Sequence, residues 1–163
     1  MANNRVYKTG EYVLKFPQKY KGNKPPVFKS SYEERMFFWC DTNTKILEWA
    51  YEPISITYKF ETHEKAPDVD KSVVDNKEHK YYPDVVAKLI DNEGKEVVCI
   101  LEIKPYNQMV RPTEPKKKNK KTLNKYLNAL QEYLKNECKW KAARKFAKDK
   151  NMKFYVLNER DLF

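Results

Sequence analysis

Glycine, cysteine and histidine are all scarce in this chain, and long apolar runs are missing. With three glycines in 163 residues and 40% hydrophobic residues, the composition is not that of a flexible, disordered polymer. Three scattered cysteines, Cys40, Cys99 and Cys138, form no Cys-x-x-Cys pair and leave one thiol unmatched, so no disulfide framework is expected. Reduced thiols in a cytosolic setting follow. No apolar run approaches the roughly 20 residues that cross a bilayer, so no membrane is expected among the partners. The N-terminal Met1-Ala2-Asn3-Asn4-Arg5 lacks the apolar centre of a signal peptide. His63 and His79 have no partner at metal-ligand spacing and are expected at the surface. The stretch opening at Asp68 has the acidic start of a calcium loop, but its sixth position is Val73 instead of Gly and its twelfth is His79 instead of Glu. That excludes such a site.

What the chain has in abundance is charge, unevenly placed. The net charge is +10. Residues 1–29 hold seven basic residues against Glu11; residues 30–103 hold nine basic and sixteen acidic; residues 104–150 hold fifteen basic and four acidic. An acidic centre between basic flanks suits a protein that holds a cation with carboxylates and a polyanion with lysines.

Punctuation and periodicity give the order of elements. Residues 1–29 are basic, aromatic and broken by Pro17, Pro25 and Pro26, and read as an N-terminal arm; residues 30–163 read as one domain. Ser30 is a helix N-cap with Glu33 completing a capping-box pattern, and the helix ends near Asp41-Thr42-Asn43. Ile54–Phe60 alternates as a first strand, and residues 61–80 form a polar, acidic insertion loop. A second strand runs from about Tyr81 to Ile90. Asn92-Glu93-Gly94-Lys95 turns it into a third, Glu96–Lys104. A Pro- and Lys-rich loop fills 106–118. Leu123, Tyr126, Leu127, Leu130 and Leu134 recur at helical spacing from Lys120 to about Glu137. The pattern resumes through Trp140, expected in the core or an interface, and Phe146 after a possible bend; Lys153–Leu157 is a last strand. The expected fold class is α/β, with helix, three strands, helix and strand in that order.

Tyr82-Pro83-Asp84 and Leu101-Glu102-Ile103-Lys104-Pro105 carry the chemistry. Alternation along a strand puts Glu102 and Lys104 on one face, with Leu101 and Ile103 on the other. Charges entering a core strand need partners. Asp84 on the neighbouring strand, with a divalent ion, would supply them. Asp84, Glu102 and the carbonyl of Ile103 are candidate ligands for Mg²⁺, which usually keeps waters beside one or two carboxylates. Lys104 would orient a water or neutralise charge on a phosphodiester. Arg111, Lys116, Lys117, Lys118, Lys120 and Lys121 follow that strand as candidate phosphate contacts. Lys141, Arg144, Lys145 and Lys148 share a helix face as a second set.

Pro83-Asp84, seventeen residues, and Glu102-Ile103-Lys104 resemble the PD-(D/E)XK nuclease pattern, and the element order is similar to that superfamily's αβββαβ core, a small mixed sheet flanked by helices. Ser30-x-x-Glu33, Trp49-Ala50-Tyr51-Glu52-Pro53-Ile54, Glu-Ile-Lys-Pro at 102–105, and Trp140-Lys141-Ala142-Ala143 leading to Lys153-Phe154 are similar to the TnsA endonuclease subunit of heteromeric transposases. With Lys15-Phe16-Pro17-Gln18-Lys19-Tyr20-Lys21-Gly22, the chain resembles still more the head-completion nucleases of T-even-type tailed phages, over roughly residues 10–160 except the acidic insertion. The resemblance implies that Glu33 joins Asp84 and Glu102 in the acidic cluster and that Lys104 is the catalytic lysine. It implies a Mg²⁺-dependent DNA endonuclease, with Mn²⁺ able to substitute, that processes packaged double-stranded DNA before tail attachment. It places the protein in the host cytoplasm or the virion's head–neck region, with head, portal or neck proteins as partners. TnsA proteins often carry an amide where this chain has Glu102, a departure toward the general nuclease pattern. The alternatives are a structural head-completion or neck protein that binds DNA or portal without turnover, and the nuclease half of a transposase.

Overall fold

The computed structural model describes residues 8–61 and 77–162. Most of the acidic insertion, His63, the Asp68 stretch and the N-terminal pentapeptide lie outside these residues. In chain order the elements are β1 (Gly10–Glu11), a 3₁₀ turn (Pro17–Lys19), β2 (Val27–Phe28), α1 (Ser31–Thr42), β3 (Ile46–Tyr51), β4 (Ile56–Lys59), β5 (Glu78–Tyr81), β6 (Val85–Ile90), β7 (Glu96–Ile103), α2 (Tyr106–Met109), α3 (Lys120–Asp149) and β8 (Lys153–Leu157). The central sheet has the order β3-β6-β7-β8. β6 runs antiparallel to β3 and β7, while β8 runs parallel to β7, so the sheet is mixed. The α/β class expected from the order of elements is what the chain adopts.

Four expectations shift. Ile46–Tyr51 was not foreseen as a strand; its pattern does not alternate, because Trp49, Ala50 and Tyr51 are all buried. Tyr20 bridges Trp49, and the Lys21 N–H donates to the Trp49 carbonyl at 2.9 Å, so chain covers part of this outer strand. β4, expected in the main sheet, instead pairs with β5 in a separate two-stranded sheet, from Ile56↔Tyr81 to Lys59↔Glu78. The expected second strand keeps only Val85–Ile90, as β6, while β5 lies almost wholly within the span expected as loop; Tyr82-Pro83-Asp84 separates the two, since proline cannot donate to a ladder. His79, expected at the surface, is half-buried with its ring 5.5 Å from that of Tyr58.

Residues 8–29, read as an arm, pack on the body of the protein. β1 and β2 pair through Gly10↔Phe28, and Phe28 enters the core. Tyr12 and Tyr20 set their rings edge-on to Trp49 at 6.2 and 4.8 Å. Asp41, fully buried on α1, accepts hydrogen bonds from the Lys15 and Phe16 N–H groups at 2.7 and 3.2 Å and from the Tyr12 hydroxyl at 3.1 Å. A buried carboxylate is tolerable when donors surround it in this way.

The central sheet separates two apolar clusters. Met36, Phe37 and Cys40 of α1 pack on Trp49, Val85, Ala87, Cys99, Leu101 and Ile103. On the other face, Ile100 packs with Leu130, Leu134, Ala143 and Ala147 of α3 and with Ile56, Tyr58 and Tyr81 of the small sheet. α3 is one continuous 30-residue helix that joins the two stretches of helical periodicity on either side of Glu137. Asn119 caps it through the Thr122 N–H at 2.9 Å, with the Thr122 hydroxyl accepting in return from the Asn119 N–H. Trp140 is buried, as expected for a core residue. Because β8 follows α3 and lies parallel to β7, α3 runs back along the sheet against the direction of β7. Its middle thus passes the end of β7 and its last turns reach the β6–β7 turn.

Candidate active site

β6 and β7 bring the two acidic motifs together. Their register pairs Val85 with Leu101, so the next step sets Asp84 against Glu102. The Asp84 carboxylate accepts from the Ile103 N–H at 2.8 Å, and its carbonyl accepts from the Glu52 N–H at 3.0 Å. Glu52, at φ 40° in the left-handed region, joins two lysines beside this bend: its carboxylate pairs with Lys24 at 3.0 Å and Lys29 at 3.1 Å.

Glu102 lies on the face of β7 opposite Leu101 and Ile103, beneath α3. It is 3% exposed. Its Oε2 accepts from the buried Tyr81 hydroxyl at 2.7 Å, and its Oε1 lies 3.2 Å from the Lys104 ammonium. Lys104 is in turn anchored by its N–H to the Leu157 carbonyl of β8 at 2.9 Å. Burial alone would lower the Lys104 ammonium, but the charges of Glu102 and Asp84 outweigh it and hold the group above its ordinary value. Lys104 is thus a cation here. Asp84 is pushed well above the usual carboxylate range, first by desolvation and then by the charge of Glu102, despite the Ile103 N–H.

Glu33 approaches from the first turn of α1. Ser30 accepts from the Glu33 N–H at 3.2 Å, the expected cap, but the returning bond departs from the capping-box pattern: the Glu33 carboxylate accepts from the Lys29 N–H at 2.6 Å. Burial raises Glu33; the Lys29 N–H, Lys29 and Lys104 oppose that shift, and Glu102 adds to it. Glu33 therefore feels the site's charges while its own carboxylate is engaged at Lys29. Among the described residues, no group of three or more His, Cys, Asp and Glu side chains is gathered closely enough to hold a metal ion. The pair that the structure brings together is Asp84 with Glu102, and Glu33 is not drawn into a three-carboxylate cage with them.

Two nearby residues were missed from the sequence. Tyr81 read only as the start of a strand, yet its hydroxyl orients Glu102. Lys139 is not among the sequence's candidate residues, yet its ammonium lies 5.6 Å from the centre of the Tyr81 ring and 5.9 Å from that of Tyr58. No local signal in the sequence could have placed either, because both meet β7 only through tertiary packing. The other basic candidates are exposed. Arg111, Lys116, Lys117 and Lys118 lie between α2 and α3, with Lys118 paired to Glu114 at 2.7 Å, and Lys120 and Lys121 open α3. Lys141 and Lys145 face solvent, Lys145 paired with Asp149 at 3.0 Å. Arg144 and Lys148 line a groove of about 1180 Å³ with Leu89, Lys95 and Val97. That groove is at the β6–β7 turn, the opposite end of the sheet from Glu102, so the structure does not bring Arg144 and Lys148 to the acidic pair.

A family model described as TnsA-like endonuclease N terminal matches residues 43–159, most of the chain. The chain belongs to the TnsA-like endonuclease family. The matched span includes β3 through β8, and with it Asp84, Glu102 and Lys104; Glu33 falls before it. The chain is also similar to the head completion nuclease of Enterobacteria phage T4, with 28% identity over 155 residues, covering 94% of this chain and 93% of that protein. That alignment extends beyond the family's span. The resemblance drawn from the residue motifs is therefore met by both comparisons. Among the described residues, no helix is long and apolar enough to cross a membrane.

Proposed function

We propose that the protein is a metal-dependent DNA endonuclease of the PD-(D/E)XK type that acts in phage head completion on packaged double-stranded DNA before tail attachment. The observation that carries this reading is the convergence of Asp84, Glu102 and Lys104, with Asp84 raised by burial and then by the charge of Glu102, and Lys104 raised against its burial by the charges of Glu102 and Asp84. A carboxylate whose ionisation is opposed by a neighbouring one fits a divalent cation, and all-oxygen donors suit Mg²⁺, with Mn²⁺ as a substitute. Asp84, Glu102 and the Ile103 carbonyl would hold it, with Glu33 nearby. Such an ion supplies Lewis-acid charge and lowers the pKa of a bound water. The chain's own groups do the rest. Tyr81 fixes one oxygen of Glu102, the Ile103 N–H fixes one of Asp84, and Lys104 presents positive charge where a phosphodiester would gain negative charge. Arg111, Lys116, Lys117, Lys118, Lys120, Lys121, Lys141 and Lys145 would hold the backbone without reading sequence, and Arg144 and Lys148 would touch it only at the far end of the sheet. Head, portal or neck proteins would be the partners, in the host cytoplasm or at the head–neck junction.

The test is nicking of supercoiled plasmid with Mg²⁺ or Mn²⁺. Asp84→Ala and Lys104→Ala are each expected to lower the rate by about 10²-fold or more while duplex binding persists. Nicking that survives in Asp84→Ala discards this site. No nicking with either metal, together with retained binding to phage heads, replaces the enzyme with a structural head-completion protein.

A further inference from the structure

We propose that Lys139 is a phosphate-binding residue of this site, contacting the backbone of the DNA strand that reaches Asp84, Glu102 and Lys104, and that it ends a lysine track along α3. The inference deepens the nuclease reading and rests on it.

Three observations meet at Lys139. First, its ammonium is half-buried over the Tyr58 and Tyr81 rings, and the Tyr81 hydroxyl is the one bonded to Glu102. Aromatic faces attract a cation but leave its N–H donors without acceptors. Second, no carboxylate pairs with it among the described residues. Glu102 is its strongest attraction, and both oxygens of Glu102 are already met by Tyr81 and Lys104. Desolvation and then repulsion by Lys104 lower the Lys139 ammonium from its ordinary value. With both Glu102 oxygens engaged, the Lys139 donors have no carboxylate partner, and an anion with free oxygens, such as a phosphodiester, would fill that place. Third, Lys121, Lys125, Asn128, Glu132, Lys135 and Lys139 recur at steps of four and three on α3, so they form one stripe. The outer members are exposed, and Lys135 and Lys139 become half-buried as the stripe reaches the site. At 1.5 Å per residue, Lys121 stands about 27 Å from Lys139 along the helix. That is a little under one turn of duplex, for which about 34 Å is usual. The stripe thus leads a polyanion inward from the basic segment before α3 to the acidic pair.

The test is binding of labelled duplex DNA in EDTA across a salt series, with plasmid nicking in Mg²⁺ measured in parallel. Lys139→Met keeps an unbranched stem over the two rings and removes the charge. Lys139→Arg keeps the charge, and Lys95→Met in the distant turn serves as control. For Lys139→Met the slope of log K against log salt is expected to shrink by about 0.9, the value for one phosphate contact, and nicking to fall about tenfold. Lys139→Arg and Lys95→Met are expected to keep the wild-type slope. A wild-type slope in Lys139→Met overturns the proposal, and so does an Arg variant as impaired as the Met variant, since that would mean shape rather than charge matters. A reduced slope in a protein whose wild type never nicks DNA would end the nuclease reading and leave this contact standing. An unchanged slope with nicking intact would do the reverse.

Discussion

Asp41 has no part in the candidate chemistry, yet its surroundings make it the most demanding side chain in α1. It is fully buried, and three donors from residues 12–16 converge on it. The Lys19 ammonium adds bonds to the Asp41 and Asn43 carbonyls, each at 2.8 Å. Burial, then the charge of Asp41, pushes the Tyr12 hydroxyl well above its usual range, so Tyr12 stays a neutral donor. Asp41→Ala would leave two backbone N–H groups and a hydroxyl unmet inside the protein. At about 1–3 kcal/mol for each unmet group, a loss of at least about 3 kcal/mol is expected in urea unfolding, and Asp41→Asn, which keeps one acceptor, should lose less. A cost below about 1 kcal/mol for Asp41→Ala would mean that residues 8–29 are not held through this group. At this scale the sequence was only half legible. Asp84, Glu102 and Lys104 stood out because charged residues interrupt or border an apolar run. Asp41 passed as a helix end, because nothing local announces that a distant segment will cover it.

Among the elements, α1 was readable in outline and altered in detail. Ser30 caps it as the Ser-x-x-Glu spacing predicts, and Glu33 and Glu34 lie in the first turn, where the helix dipole favours negative charge. Ser30→Ala should therefore cost about 1 kcal/mol, read as a fall in Tm; a variant as stable as wild type would show that packing alone sets this helix start. The same turn carries Glu33 toward the site, so the substitution should also slow nicking more than its stability cost explains. Strands were harder to foresee. β3 has no alternation to detect because cover from Tyr20 and from α1 buries consecutive residues. β4 does alternate, Ile56 and Tyr58 in and Thr57 and Lys59 out, but alternation reports that a face is buried and not which partner strand buries it. The continuity of α3 through Lys135–Lys141 was only partly legible, because a polar stretch weakens apolar periodicity without breaking the helix.

For the molecule as a whole, charge and shape divide the labour. The net charge of +10 is concentrated in the segments before and after an acidic middle, and folding returns those segments to its borders: Lys24 and Lys29 meet Glu52 beside Asp84, and α3 carries Lys139 over the ring of Tyr81, whose hydroxyl meets Glu102. Binding of duplex DNA without metal is expected to depend steeply on salt and little on sequence. Lys120→Ala with Lys121→Ala should weaken it to a similar degree on unrelated sequences, and lower the salt slope by about 0.9 for each phosphate that the variant no longer neutralises. A salt-anisotropy series on two unrelated duplexes measures this. Weakening on one sequence alone would turn these lysines into base readers.

Composition, helix capping and strand alternation determined a great deal unaided: a mixed α/β protein, a capped first helix, a buried strand with Glu102 and Lys104 on one side, and motifs that resemble the family to which the chain belongs. These are properties of neighbours along the chain, and periodicity of two or 3.6 records them directly. Tertiary structure decided the rest. The antiparallel register set Asp84 against Glu102, the break at Pro83 freed Tyr81 to reach the same carboxylate, and the return of α3 across the sheet delivered Lys139. Each of those meetings depends on strand register and on the path of a crossover, where a shift of one residue would turn a side chain to the opposite face, and no local pattern encodes that choice.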